Sequence, residues 1–347
     1  MRRGARQLAT LLAAAALVPA CAACASGDTG AAGEGNGGKT TSARTTSEGL
    51  LGALTQVQDT KAARAYVEYG DIETLRQLSR GEPTSRFQSV QGIGYSQLAP
   101  RADKIADKSG IDPRQADSAV TAGEPPKRVG RLEGSFDVDD INSRLARLGG
   151  KQRSVEGGTL WVWHKGGAVD FRNDPFPGLV GLFNVILVEP DAITYGRTVD
   201  MVEHMHKRGK DTLATSTRHR EMARCLGDVV AAILTAGAGE NGGQLYGVGL
   251  RAESAQDITE VACVSTKSDD MAARIADQVP NRWNSQMTAN GTPWKELLDD
   301  PEVETFGGAA HLVRLTAHPP SADSPIGIFP QALYNGDLPR LFRPERS

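Results

Sequence analysis

The 347-residue sequence lacks an apolar segment long enough to span a membrane. Crossing the hydrocarbon core takes roughly 20 apolar residues, and the uncharged Ala/Leu-rich run over residues 9–20 is shorter. The sequence also lacks a strongly basic balance, because 39 Lys and Arg residues face 42 Asp and Glu residues. A nucleic-acid-binding domain needs a basic face, so we expect no nucleic-acid partner.

Several motifs of hydrolases and metalloproteins are missing as well. No GxSxG nucleophile elbow occurs, and Glu203-His204 lacks the second histidine of an HExxH zinc motif. His206 follows closely, but residues two apart on a helix do not point to the same side. Neither Cys225 nor Cys263 has the CxxC spacing of a zinc site. We therefore predict no catalytic residue, no metal site and no cofactor.

A signal-peptide pattern is present at the N-terminus. Arg2, Arg3 and Arg6 precede the uncharged run over residues 9–20, and small residues and cysteines follow it. A basic start, a short apolar run and a small-residue cleavage zone are typical of secretory signal peptides. We predict that residues 1–20 form a signal peptide and that the mature protein is secreted across the membrane.

The cysteine that follows this run resembles the lipid-modified cysteine of bacterial lipoproteins. Residues 17–21 read Leu-Val-Pro-Ala-Cys, in which Pro19 departs from the usual pattern, and Cys24 after two alanines is the alternative. The resemblance implies a diacylglyceryl thioether and acyl chains such as palmitate on Cys21 or Cys24. Two or more chains anchor a protein firmly to a membrane. Cleavage a few residues further on, without lipid, remains the alternative.

The body of the chain is predicted to begin after a tether. Residues 21–49 combine the lipidated N-terminus with a Gly/Ser/Thr-rich segment that has too few apolar side chains to fold. Strand–helix–strand patterns then occur at 128–164 and 258–317. We predict an α+β fold with two related lobes, 50–195 and 196–347, each an antiparallel sheet covered on one face by helices.

Asp71, Asp137 and Ser268 are predicted to cap the starts of helices. Asp137 precedes a predicted helix over 138–148, and this role explains Asp137, Asp139 and Asp140 without a calcium site, since the EF-hand pattern is missing. Periodicity further predicts helices over 95–108 and 113–122.

Two pairs of side chains invite a specific role. Cys225 and Cys263 form a disulfide or remain buried thiols; exported proteins often pair cysteines. Trp161 and Trp163 alternate on one predicted strand and share a face, so they form either a ligand platform or part of the core.

The body resembles exported lipoproteins of GC-rich Gram-positive bacteria that have no known activity. The resemblance is carried by Gly-Arg-Leu-Glu-Gly-Ser-Phe-Asp at 130–137, Leu-Gly-Gly at 148–150, Trp294, Pro-Glu-Val at 301–303 and Gly-Asp-Leu-Pro at 336–339. It implies a lipid-anchored protein on the outer face of the cell membrane.

We expect a non-enzymatic binding or interaction protein of the cell envelope, with an envelope protein or a small ligand as partner. An envelope hydrolase is the first alternative, and a pocket that holds His164 or His219 beside a carboxylate would favour it. A solute-binding protein of a transporter is the second alternative, and it predicts two lobes with largely parallel sheets around a deep cleft.

Overall fold

A computed structural model describes residues 49–81, 85–170, 172, 174–179, 181–207, 209–237 and 243–344. The predicted signal peptide, Cys21, Cys24 and nearly all of the predicted tether lie outside the described residues. Every described residue belongs to one compact unit that spans residues 44–347.

A single twelve-stranded sheet runs through the described part of the chain. Its strand order is β11-β12-β10-β9-β8-β1-β2-β3-β7-β6-β5-β4, and every pairing is antiparallel. The strands are β1 (Tyr66–Asp71), β2 (Ser118–Ala122), β3 (Val129–Glu133), β4 (Lys151–Val155), β5 (Gly158–Val162), β6 (Val185–Val188), β7 (Ala192–Gly196), β8 (Ala231–Ala236), β9 (Leu245–Ala252), β10 (Ile258–Ser265), β11 (Asp299–Phe306) and β12 (Leu312–His318).

Helices cover both faces of this sheet. One face packs against α3, α4, α5, α8, α9, α10 and α11, and the other against α1, α2, α6 and α7. The helices are α1 (Leu50–Leu54), α2 (Lys61–Ala65), α3 (Ile72–Leu78), α4 (Ala102–Ser109), α5 (Val138–Arg147), α6 (Val199–His206), α7 (Thr217–Leu226), α8 (Asp269–Ser285), α9 (Trp294–Leu297), α10 (Ile328–Tyr334) and α11 (Asp337–Leu341). None of the helices within the described ranges is long and apolar enough to cross a bilayer.

The α+β class and the antiparallel pairing agree with the prediction from sequence, but the arrangement differs. The structure does not show separate lobes at 50–195 and 196–347, because β1 of the first part pairs directly with β8 of the second. The prediction that helices cover only one face of the sheet was also wrong. Val67 and Tyr69 of β1 alternate with buried neighbours that face the opposite side, so both faces of the central strand need covering.

Predicted helix starts are confirmed where a polar side chain caps the first turn. The side chain of Asp137 accepts a hydrogen bond from the backbone N–H of Asp140 at 3.0 Å and starts α5. Ser268 caps α8 in the same way at 3.3 Å. The Asp140 carboxylate pairs with Arg144 at 2.7 Å, so Asp137 and Asp140 both stabilise the first turns of α5.

Two predicted helices near residue 115 were wrong in part. The segment 113–122 is a short 3₁₀ turn followed by β2, and within 95–108 the α-helix begins only at Ala102. β2 lies between β1 and β3, so pairing on both sides determines its conformation and overrides the local helical pattern.

Candidate functional site

A groove of about 240 Å³ lies between α4 and the loop 174–179. Its lining combines three basic side chains with three apolar ones and a proline: Arg101, Lys104, Lys108, Ile105, Phe176, Leu179 and Pro177. The spacing of the basic residues along the chain, three and then four positions, places them on one side of the helix. The groove therefore combines a cationic rim with an apolar floor.

Both ends of the groove are tied to the loop. The Lys108 ammonium donates a hydrogen bond to the carbonyl of Pro175 at 2.8 Å. The Arg101 guanidinium lies so close to Gly178 that a Cβ there would be 2.7 Å from Nη2, and Gly178 has φ +88°. A side chain at this position would be strained and would displace Arg101. Lys104 lies between these two ends and is exposed.

A buried carboxylate lies at the centre of the sheet. Glu68 of β1 is 1% exposed and accepts hydrogen bonds from Ser96 through N–H at 3.2 Å and through Oγ at 2.9 Å. Burial raises the pKa of Glu68, against the opposite effect of the Ser96 hydrogen bonds. Because Ser96 belongs to the turn segment 91–98, the carboxylate fastens that segment to the sheet.

The same network reaches the surface through two tyrosines. The Tyr66 hydroxyl lies 3.4 Å from Glu68 Oε2 and 3.0 Å from the hydroxyl of Tyr334, which is 64% exposed. The Arg128 guanidinium lies over the Tyr66 ring at 5.1 Å. The hydrogen bond between the two hydroxyls joins the end of α10 to β1, and the cation–π contact packs Arg128 against the Tyr66 ring.

A second buried carboxylate holds the start of α10. Glu260 of β10 is fully buried and accepts three backbone hydrogen bonds, from Gly327 at 2.5 Å, Ile328 at 2.9 Å and Phe329 at 2.8 Å. Burial raises the pKa of Glu260 to about 7 even though these three donors favour the charged form. Its role is to satisfy N–H groups that a helix start leaves without partners.

A third polar cluster lies on the opposite face of the sheet. The Arg131 guanidinium donates to Glu189 at 2.7 Å and to Thr194 at 2.9 Å. His206 Nδ1 lies 3.0 Å from the other Glu189 oxygen, whereas His204 is exposed. The two histidines therefore do not converge, and no group of three metal-ligating side chains occurs among the described residues.

The two histidines that would favour an enzyme lie where the described residues leave little room for a substrate. The ring of His164 lines a cavity of about 10 Å³ together with Asp170 and Asp174, which is the space of about one water molecule. His219 is 3% exposed. Its ring nitrogens lie 3.2 Å from Ser216 Oγ and 3.3 Å from the carbonyl of Arg64, and burial lowers its pKa.

Trp161 and Trp163 share one face of the sheet as expected, but they do not form an open platform. Trp161 is 2% exposed and donates its indole N–H to Asn142 at 2.8 Å. The half-buried Trp163 donates to the carbonyl of Leu148 at 3.1 Å. Both partners belong to α5 or its end, so the rings pack beneath that helix as core side chains.

Cys225 and Cys263 form a disulfide, with a Cα–Cα distance of 6.4 Å. The bond joins α7 to β10 on the face that carries α1, α2 and α6. Both residues are at most 1% exposed, so the bond lies inside the core.

Sequence reasoning missed Glu68, Glu260 and the groove. A signal existed for each: a glutamate inside a strand pattern requires a buried partner, and Arg101, Lys104 and Lys108 follow helical spacing. The cavity itself depends on the loop at residues 174–179, whose position no periodicity reveals.

Residues 33–40 read Gly-Glu-Gly-Asn-Gly-Gly-Lys-Thr and match the spacing of a GxxxxGK[ST] phosphate loop. Such a loop requires a strand before it and a helix after it. The segment lies outside the described residues, in the Gly-rich stretch predicted as a tether, and the match assigns no site.

No protein-family model, curated protein or solved structure matches the chain.

Proposed function

We propose that the protein is exported, anchored by lipid on Cys21 or Cys24 to the outer face of the cell membrane, and acts there as a binding protein without catalysis. The observation that supports the proposed localisation is the order of features in residues 1–24: three arginines, an uncharged run and then a thiol. The disulfide between Cys225 and Cys263 supports it, because such bonds persist in oxidising compartments.

The groove beside α4 supports binding over hydrolysis. The described residues of its lining are cations, apolar side chains and a proline, with no histidine, carboxylate or serine among them. A hydrolytic site needs a nucleophile and a base in a cavity that admits substrate. The antiparallel sheet also gives no support to a transporter solute-binding protein, for which parallel sheets were expected.

We also propose that the two halves of the sheet are related by duplication. β1, β2 and β3 lie side by side and are followed by α5, with α3 and α4 inserted between β1 and β2, and β8, β9 and β10 form a meander followed by α8. In each half the last strand returns to pair with the third, β7 with β3 and β12 with β10. This shared order of strand pairing, with β1 paired to β8, supports this proposal.

Membrane fractionation tests the proposed localisation. Single and double alanine variants of Cys21 and Cys24 are compared with Ser26→Ala, which leaves both thiols in place. We expect the double variant to leave the membrane fraction while Ser26→Ala stays there. Full retention of the double variant in the membrane fraction would refute the lipid anchor.

A further inference from the structure

The groove beside α4 carries a local positive charge. Arg101, Lys104 and Lys108 line it, and no carboxylate is among the described residues that do. The acidic residues of α4 lie elsewhere on the helix, and Asp103 pairs with Arg114 at 2.7 Å. The electrostatic field at the groove therefore favours an anion.

Two of these cations have side chains without a partner among the residues that the structure describes. The side chains of Arg101 and Lys104 make no hydrogen bond or ion pair with any described residue. Lys108 uses one proton on the Pro175 carbonyl, and an ammonium has three. Other arginines nearby are paired, as Arg144 is with Asp140 at 2.7 Å. The groove thus keeps donors available for a ligand.

The floor selects for an apolar portion in the same ligand. Ile105, Phe176 and Leu179 line the groove beneath the cations and are 2%, 4% and 7% exposed. The volume of about 240 Å³ is many times the roughly 10–15 Å³ that one water molecule needs. It accommodates a head group and a few methylene groups, and a longer chain would extend out along the open side.

We propose that this groove binds an amphiphile made of an anionic head group, carboxylate or phosphate, on an alkyl or acyl chain. The inference rests on the proposed function, since it names the ligand class of that binding protein. Arg101 and Lys104 bind the head group through charge-assisted hydrogen bonds, and the first methylene groups lie on Ile105 and Phe176.

Photolabelling of the full-length protein in its membrane tests the proposal. The probe is an octyl phosphate that carries a diazirine in its chain, and mass spectrometry maps the labelled peptides. We expect labelling around residues 101–108 and 174–179. Lys104→Glu should lower the apparent affinity at least fivefold, because one surface cation contributes about that factor towards an anionic lipid. Lys295→Glu on α9 changes another exposed lysine and should have no effect.

Competitors separate the contributions of head group and chain. Octyl phosphate and octanoate should both compete, and the stronger of the two identifies the head group. Each added methylene group should strengthen competition about fourfold until the floor is covered. Octanol competing as well as octyl phosphate would overturn the anionic head group, and inorganic phosphate doing so would overturn the chain.

Labelling elsewhere, or labelling of the groove that is unchanged in Lys104→Glu, would overturn the site. Membrane fractionation of the same Lys104→Glu protein keeps the two proposals apart. If the protein is anchored but the groove is not labelled, only the ligand class fails. If the cysteine variants stay in the membrane fraction, the proposed localisation through a lipid anchor is refuted, whatever the groove binds.

Discussion

Removal of the disulfide gives the sharpest test of how this fold is stabilised. Cys225 and Cys263 are 38 residues apart, and the chain-entropy relation gives about 4 kcal/mol of stabilisation for a closed loop of that length at 25 °C. The double variant Cys225→Ala with Cys263→Ala should therefore lose about 4 kcal/mol. Urea unfolding followed by circular dichroism measures the loss, as a midpoint lower by about 1 M if the slope is about 3 kcal/mol/M.

The wild-type protein refolded under reducing conditions is the matched control. It keeps both sulfur atoms in the core and lacks only the bond, so any difference from the double variant reports lost packing. Identical urea midpoints for the oxidised protein, the reduced protein and the double variant would refute the reasoning, because the bond would then constrain nothing in the unfolded chain.

Three further predictions concern buried groups and a glycine. The folded-state pKa of Glu260, about 7, lies above the unfolded value of about 4.3, so protonated Glu260 contributes fully to the free energy of unfolding at low pH, and this contribution is lost as the pH rises from about 4.3 to 7. Glu260→Gln should therefore flatten the fall of the urea midpoint over that pH range, and an unchanged pH dependence would contradict the prediction. Arg131→Met removes the arginine from Glu189 and, among the described residues, leaves only His206 beside this buried carboxylate, so it should cost up to about 3–5 kcal/mol in thermal unfolding. Adding Glu189→Leu should recover part of the loss, and no recovery would speak against the pair. Gly94→Ala places a Cβ 2.7 Å from a backbone nitrogen and should lower the free energy of unfolding far more than Gly149→Ala. The Cβ of Gly149→Ala meets nothing within 4 Å and costs only about 1–2 kcal/mol for its positive φ. Equal losses of stability in the two variants would contradict the close approach at Gly94.

Local signals in the sequence predicted local structure well. Asp71, Asp137 and Ser268 each precede a helix and each accepts a backbone hydrogen bond in the structure. The strands at Ile258–Ser265 and Leu312–His318 also lie at the two ends of the predicted strand–helix–strand pattern over 258–317. These features depend on residues a few positions apart, which is the distance over which periodicity and capping act.

The pairing of strands that are far apart in the chain could not be predicted from the sequence. β1 and β8 are more than 150 residues apart and join the two halves into one sheet, and neither strand's composition identifies its neighbour. β4 and β11 were missed because they are exposed edge strands rich in charge, as edges that resist association are. The groove was missed for the same reason as the sheet, since it forms where α4 meets a loop more than 60 residues further on.

Mass spectrometry of the mature N-terminus, after metabolic labelling with an alkyne fatty acid, decides whether the protein is exported and anchored by lipid. We expect a protein that begins at Cys21 or Cys24 and carries labelled acyl chains. A mature chain that retains residues 1–20, or one that begins further on without any label, would contradict it.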